Sequence, residues 1–174
     1  MTTYEEIWDF AEDHHGLITT AQAVAMGIDK HYLPAMAQRG TLIKKGHGVY
    51  LAKHHIPRET DVYAYSVAAC GATAYLRGAS VIALLNLAPT NPGIVYVGAT
   101  GRVRRKLPRG VRLIDMRPCE CVTIEGIPCQ PLVDALRTAA GEGAIESDRV
   151  ADAARKAFDR GLISGAEAAE FTKG

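Results

Sequence analysis

The side chains whose types and spacing could do chemistry are basic, and the chemistry is the neutralisation of phosphate. Lys30, Arg39, Lys44, Lys45 and Lys53 stand within residues 30–53 with no acid among them. Arg102, Arg104, Arg105, Lys106, Arg109, Arg112 and Arg117 crowd residues 101–117 against Asp115 alone. Elsewhere the chain is balanced or acidic, and the net charge of its 174 residues is only +1. Bulk charge therefore names no partner, but its distribution does. Two basic islands without interleaved acids are the footprint of surfaces that face a phosphate backbone.

Other chemistries find little to work with. There is no P-loop, no G-x-G-x-x-G after a strand, no H-E-x-x-H and no G-x-S-x-G. A nuclease needs clustered carboxylates for Mg²⁺, whereas Asp115, Glu120, Glu125 and Asp134 are scattered and lack a lysine at matching spacing. Cys70, Cys119, Cys121 and Cys129 contain no C-x-x-C, and their nearest pair is C-x-C, short of the paired spacing zinc sites use. Reduced, partly buried thiols in a cytoplasm are the expectation, and no cofactor or metal is implied. His31 and His47 have no companion at ligand spacing and read as polar surface residues. The apolar runs break well before the roughly 20 residues a membrane span needs. The start of the chain carries Glu5, Glu6 and Asp9, the opposite of a secretory signal. A cytoplasmic protein with no catalytic site is expected.

The first island needs elements to position it. Thr3-x-x-Glu6 predicts a capping box and a helix from about Tyr4, with Tyr4, Ile7, Trp8 and Ala11 on one face. Thr19-x-x-Gln22 predicts a second box, opening a short helix to about Met26 that Gly27 and Ile28 close. Asp29 is placed to cap a third helix to about Arg39, with Leu33, Met36 and Ala37 inward and Lys30, His31, Tyr32, Gln38 and Arg39 outside or at the rim. Pro34 opposes that start, because beyond the first turn it removes a backbone bond; a start near Tyr32 is the alternative. Leu42–Lys45 and Val49–Leu51 form a hairpin around Gly46-His47-Gly48. Two short helices joined at a glycine and followed by a basic hairpin make a winged helix-turn-helix. Its third helix would enter the major groove, and its wing would lay Lys44, Lys45 and His47 along phosphates or the adjacent minor groove.

The stretch GLITTAQAVAMGIDKHYLPAMAQRGTLIKKGHGVYLA, Gly16 to Ala52, resembles the N-terminal winged helix of AbiEi-type antitoxins, from systems classed as type IV toxin–antitoxin systems. Gly16, Leu17, Thr19, Gly27, Ile28, Leu33, Arg39, Gly40, Leu42, Gly48, Val49 and Tyr50 carry the likeness. Further along, AYLRGASVIALLNL (74–87), a strand, a basic stretch and EGIPCQPLVDAL (125–136) follow the order of that family's C-terminal domain. Leu132-Val133 stands where the family often has Arg-Thr. The resemblance does not extend past residue 140.

The rest of the chain reads as α+β with a small sheet. His54-His55-Ile56-Pro57 is a linker. Helices are predicted over Asp61–Ala69 with Thr60 as cap, Gly78–Leu87, Leu132–Ala140, Asp148–Arg160 with Ser147 as cap, and Gly165–Phe171 behind a Ser164-x-x-Glu167 box. Strands are predicted at Ile94–Val97, Val111–Met116, Cys121–Ile124 and Ile127–Gln130. The expected organisation is a winged-helix DNA-binding domain over residues 1–55 and a mixed α/β C-terminal domain over 58–174.

The resemblance implies a transcriptional repressor that binds double-stranded DNA at its own promoter and counteracts a nucleotidyltransferase-like toxin encoded next door. Direct contact with the toxin, and a homodimer on DNA, stay open. The expected DNA-binding residues are Lys30, His31, Tyr32, Gln38, Arg39, Lys44, Lys45, His47, Arg102, Arg104, Arg105 and Lys106, the last four facing DNA, toxin or solvent. The alternatives are a stand-alone winged-helix regulator with a C-terminal dimerisation or sensor domain, and a nucleic-acid enzyme with a winged-helix targeting domain.

Overall fold

A computed structural model describes residues 1–115 and 117–173. The chain opens with α1 (Thr3–Asp13), β1 (Leu17–Thr19), α2 (Thr20–Ala25), α3 (Tyr32–Gln38), β2 (Leu42–Gly46) and β3 (Val49–Ala52). The strands form an antiparallel sheet in the order β1-β3-β2. Three helices, the third leading into a sheet whose last two strands are a hairpin, fit a winged helix.

The cap of α1 lies one residue earlier than the Thr3–Glu6 pair predicts. The chain holds two overlapping boxes, and the one formed is Thr2 with Glu5, each side chain bonding the other's backbone N–H. Ile7 and Ala11 are fully buried and Trp8 half so, but Tyr4 is exposed. The Thr19–Gln22 box forms as expected. Asp29 does not open α3. Its carboxylate accepts the His31 N–H at 2.7 Å, and the helix starts at Tyr32. Pro34 then falls at the third helical position, where the backbone N–H has no intrahelical acceptor in any case, so nothing is lost.

β1 was not legible in the pattern. It is three residues long and buried on both faces, so it shows no alternation. Ile18 and Tyr50 face inward to Ile7, Leu33, Met36 and Leu42. Their neighbours Leu17 and Val49 point the opposite way and join a second core with Ala64, Val67, Leu76, Val97 and Ile127. The small sheet is thus shared, with the winged-helix core on one side and the rest of the chain on the other.

The second part comprises α4 (Asp61–Cys70), β4 (Tyr75–Leu76), α5 (Ala79–Leu84), β5 (Val95–Gly98), β6 (Val111–Asp115), β7 (Val122–Ile124), β8 (Ile127–Cys129), α6 (Leu132–Glu142), α7 (Ser147–Asp159) and α8 (Gly165–Thr172). Its five strands form a mixed sheet in the order β6-β5-β4-β8-β7. The two-residue β4 was not anticipated, although it is the centre of the sheet, antiparallel to β5 and parallel to β8. The Met116 end predicted for β6 lies outside the described residues. The Ser164–Glu167 box opens α8 as predicted, whereas Thr60 and Ser147 make no side-chain cap. Thr60 has helical backbone angles, and Ser147 is already inside its helix behind Glu146. Alanines let the C-terminal helices approach closely, with Ala139, Ala153, Ala154 and Ala157 fully buried beside Leu136 and Ile82.

Candidate nucleic-acid interface

The wing is built by one irregularity. Lys44 pairs with Tyr50 and Gly46 with Val49, so Lys45 is left out of the ladder as a bulge. Gly48 supplies the positive φ, 65°, that closes the two-residue turn. The carbonyl of bulged Lys45 accepts the Tyr65 hydroxyl at 2.9 Å, and the Lys45 Nζ lies 5.9 Å from the centre of the Tyr65 ring. Helix α4 therefore grips the wing by both backbone and charge.

The second basic island reaches the same place. The Arg105 guanidinium donates to the His47 carbonyl at the wing tip, 3.3 Å away. His47, Arg102, Arg104 and Arg105 line one shallow hollow with Thr73 and Thr100, whose hydroxyl and backbone groups bond each other. Fifty-eight residues separate His47 from Arg105 in sequence, yet the two islands touch.

Lys30, His31, Gln38, Arg39, Lys44, Lys45, His47, Arg102, Arg104, Arg105 and Lys106 are all exposed, and Tyr32 is half-buried against the winged-helix core. Among the described residues none of the lysines and arginines in this set makes an ion pair. Several arginines elsewhere do, with Arg77 on Glu142, Arg137 on Asp134 and Glu170, and Arg155 on Asp152. His31 is the partial exception, since its Nδ1 is 2.9 Å from Asp29 Oδ1. The His31 backbone N–H, then its ring, hold the Asp29 carboxyl below the usual carboxylate range. Lys30, His31 and Tyr32 stand at the N-terminal end of α3, and Gln38 and Arg39 at its C-terminal end, so the predicted set brackets the helix.

Sequence reasoning missed a buried junction behind this surface. His15, only 3% exposed, donates from Nε2 to the Glu125 carbonyl at 2.7 Å and places Nδ1 3.0 Å from Asp61 Oδ1. His55 Nε2 and the Arg58 N–H reach the other oxygen, Asp61 Oδ2, at 2.7 and 2.9 Å. Burial alone would raise the Asp61 carboxyl, but the Arg58 N–H, His55 and His15 together bring it below its ordinary value. Gly16 makes room for the arrangement: its φ is +74°, and a Cβ there would run into the His55 ring. The signal available was the His14-His15 and His54-His55 doublets, which read as a helix end and a linker.

Two of the four thiols, Cys70 and Cys129, are buried. Burial pushes Cys70 up to about 11 and Cys129 up to about 12, so both stay protonated near neutrality. Among the described residues no helix is long and apolar enough to cross a membrane.

Helix order, sheet order and the basic hairpin fit a winged helix in the N-terminal part. More narrowly, residues 5–53 match the family of AbiEi antitoxin transcriptional regulators, a span that runs from the first turn of α1 just past β3 and stops before α4. No curated protein matches the chain.

Proposed function

We propose that the protein is a DNA-binding antitoxin that represses its own toxin–antitoxin operon and counteracts a nucleotidyltransferase-like toxin encoded beside it. The observation that supports this reading is the contact between Arg105 and the wing-tip carbonyl of His47. It joins the two basic islands into one cationic face, on which Lys30, Arg39, Lys44, Lys45, Arg102, Arg104, Arg105 and Lys106 have no carboxylate partner among the described residues. Phosphate groups are the partner that suits such a surface. In this reading α3 enters the major groove, where Lys30, His31, Tyr32, Gln38 and Arg39 contact base edges and flanking phosphates. Lys44, Lys45 and His47 follow the backbone beside it. Arg102, Arg104, Arg105 and Lys106 lengthen the footprint along the duplex.

The test is a gel shift of the full chain on the DNA upstream of its own reading frame, over a series of salt concentrations. The expected result is saturable binding whose affinity falls steeply with salt, and stronger for that DNA than for a shuffled duplex. Co-expression with the neighbouring reading frame should restore growth that the neighbour alone arrests. Equal binding to both duplexes would remove the operator, and growth unaffected by the neighbour would remove the toxin.

A further inference from the structure

A cleft of about 610 Å³ opens between the winged helix and α4, within the roughly 300–1,000 Å³ range of small-ligand sites. Leu17, Ala64, Val67, Ala68, Ile127 and Pro128 give it an apolar wall. Lys44, His47 and Arg105 line it from the wing and from the second basic island. No carboxylate is among the lining residues. Most polar groups around it already have protein partners. Thr19 and Gln22 are closed on each other in their capping box, and His14 and His15 are bonded to Phe10 and to Asp61 and Glu125. Lys44 and Arg105 keep free cationic donors there. Tyr50, only 4% exposed, also lines the cleft, and its hydroxyl has no hydrogen-bond partner among the described residues.

An apolar wall with cations and no acid selects one ligand chemistry: a compact apolar body carrying a single anionic end. A bare phosphate would leave the wall hydrated, and a neutral hydrocarbon would leave the charges unanswered. The planar guanidinium of Arg105 suits a carboxylate, which it can hold through two parallel bonds. We propose that this cleft is an effector site for small amphipathic monocarboxylates, of the size of an aryl- or alkyl-propionate. The second half of the proposal rests on the DNA-binding reading above. Lys44, His47 and Arg105 belong both to the cleft and to the cationic face, so a carboxylate bound between them withdraws the charge of Lys44 and Arg105 from phosphate. The ligand is then a derepressor.

The experiment titrates 3-phenylpropionate into the full-length protein and follows backbone amides by nuclear magnetic resonance. 3-Phenylpropanol and inorganic phosphate serve as the neutral and the non-apolar controls. The expected result is saturable shifts at Gly48, Gly71 and Gly126, which line the cleft, with the alcohol and phosphate at least about tenfold weaker. Ala68→Phe, which fills the cleft from α4, should abolish those shifts. Ala72→Trp does the same from an exposed position should the first variant fail to fold. Equal binding of the alcohol, equal binding of phosphate, shifts elsewhere, or binding that survives a folded cleft-filling variant would each overturn the site. The same ligand, at a saturating concentration, should weaken operator binding by about tenfold or more and flatten its salt dependence. Saturable cleft binding with unchanged operator affinity would overturn the derepressor role alone. Because the amide shifts are read without DNA, a failure of the DNA-binding reading leaves them standing.

Discussion

The Tyr65 hydroxyl donates to the carbonyl of Lys45 at 2.9 Å, so a residue of α4 completes the hydrogen bonding of the wing. The wing is therefore not an independent flap. Its bulge leaves a carbonyl out of the ladder, and the second part of the chain supplies the missing donor. Tyr65→Phe should keep the ring beside Lys45 and lose only the bond. The expected cost is about 1 kcal/mol, or a melting temperature lower by roughly 2–4 °C. Amide exchange should quicken at Lys45–Gly48 before it does elsewhere. Unchanged exchange in the wing would show that α4 does not hold it.

Lys44 and Lys45 have no acidic partner, and replacing both with Ala should weaken DNA binding about equally across sequences. The slope of log affinity against log salt should shrink by up to about 0.9 for each phosphate no longer neutralised. Tyr65 keeps its bond to the backbone of residue 45, so stability should change little. A gel shift with unchanged affinity and slope would remove the wing from the interface.

A fragment ending at residue 57 tests how separable the winged helix is. The sequence suggests a marginal but folded unit, since so short a chain buries little. The shared sheet makes the outcome harsher. Leu17 and Val49, at 6% and 1% exposure, face the second core and would be stripped of it. His15 would be deprived of both Asp61 and Glu125. The fragment should melt without a sharp transition or self-associate, and should bind DNA more weakly than the full chain. A cooperative melt with full affinity would mean that the two cores are independent.

Asp61 carries a pH-dependent share of stability. Its carboxyl lies below its ordinary value when folded, so the folded state favours the ionised form. That stabilisation is fully present above the unfolded value near 3.9 and is lost as pH falls through the folded one. Asp61→Asn should cost about 1–3 kcal/mol at neutral pH, and the gap to wild type should narrow as the pH falls below about 5. Thermal melts of both proteins across that range measure it. A gap that does not change with pH would mean that the charge on Asp61 contributes nothing.

What the sequence made legible follows from how local each signal is. The Thr19–Gln22 and Ser164–Glu167 boxes, the Gly27 stop and the wing depend on residues within a few positions of one another, and all of them form. The position of Arg105 depends on pairing β5 with β6 and packing that sheet against the winged helix, and no short pattern encodes it. β1 and β4 were missed for a related reason, because strands of three and two residues buried on both faces show no alternation to read. His15, His55 and Asp61 were invisible as a set, since 46 residues separate His15 from its carboxylate.

Arg102, Arg104, Arg105 and Lys106 decide between two surfaces. Four bases in five positions repel one another, and each of them is exposed. Such a segment needs anions: either DNA beside the site of the wing, or an acidic patch on the toxin. The bond from Arg105 to His47 favours DNA, because it sets the cluster against the wing tip rather than on a remote face. Replacing all four with Gln should then lower operator affinity by at least about tenfold, roughly 1.4 kcal/mol. The salt slope should fall by up to about 0.9 for each phosphate the cluster had neutralised, and protection from the toxin should remain nearly intact. Lost protection with unchanged operator binding would assign the cluster to the toxin instead. Both quantities must be measured on the same quadruple variant, with a thermal melt alongside, because removing the bond to His47 also loosens the wing. If affinity falls while the salt slope stays as it was, the weakening comes from wing placement and not from phosphate neutralisation. If neither affinity nor protection changes, the cluster faces solvent.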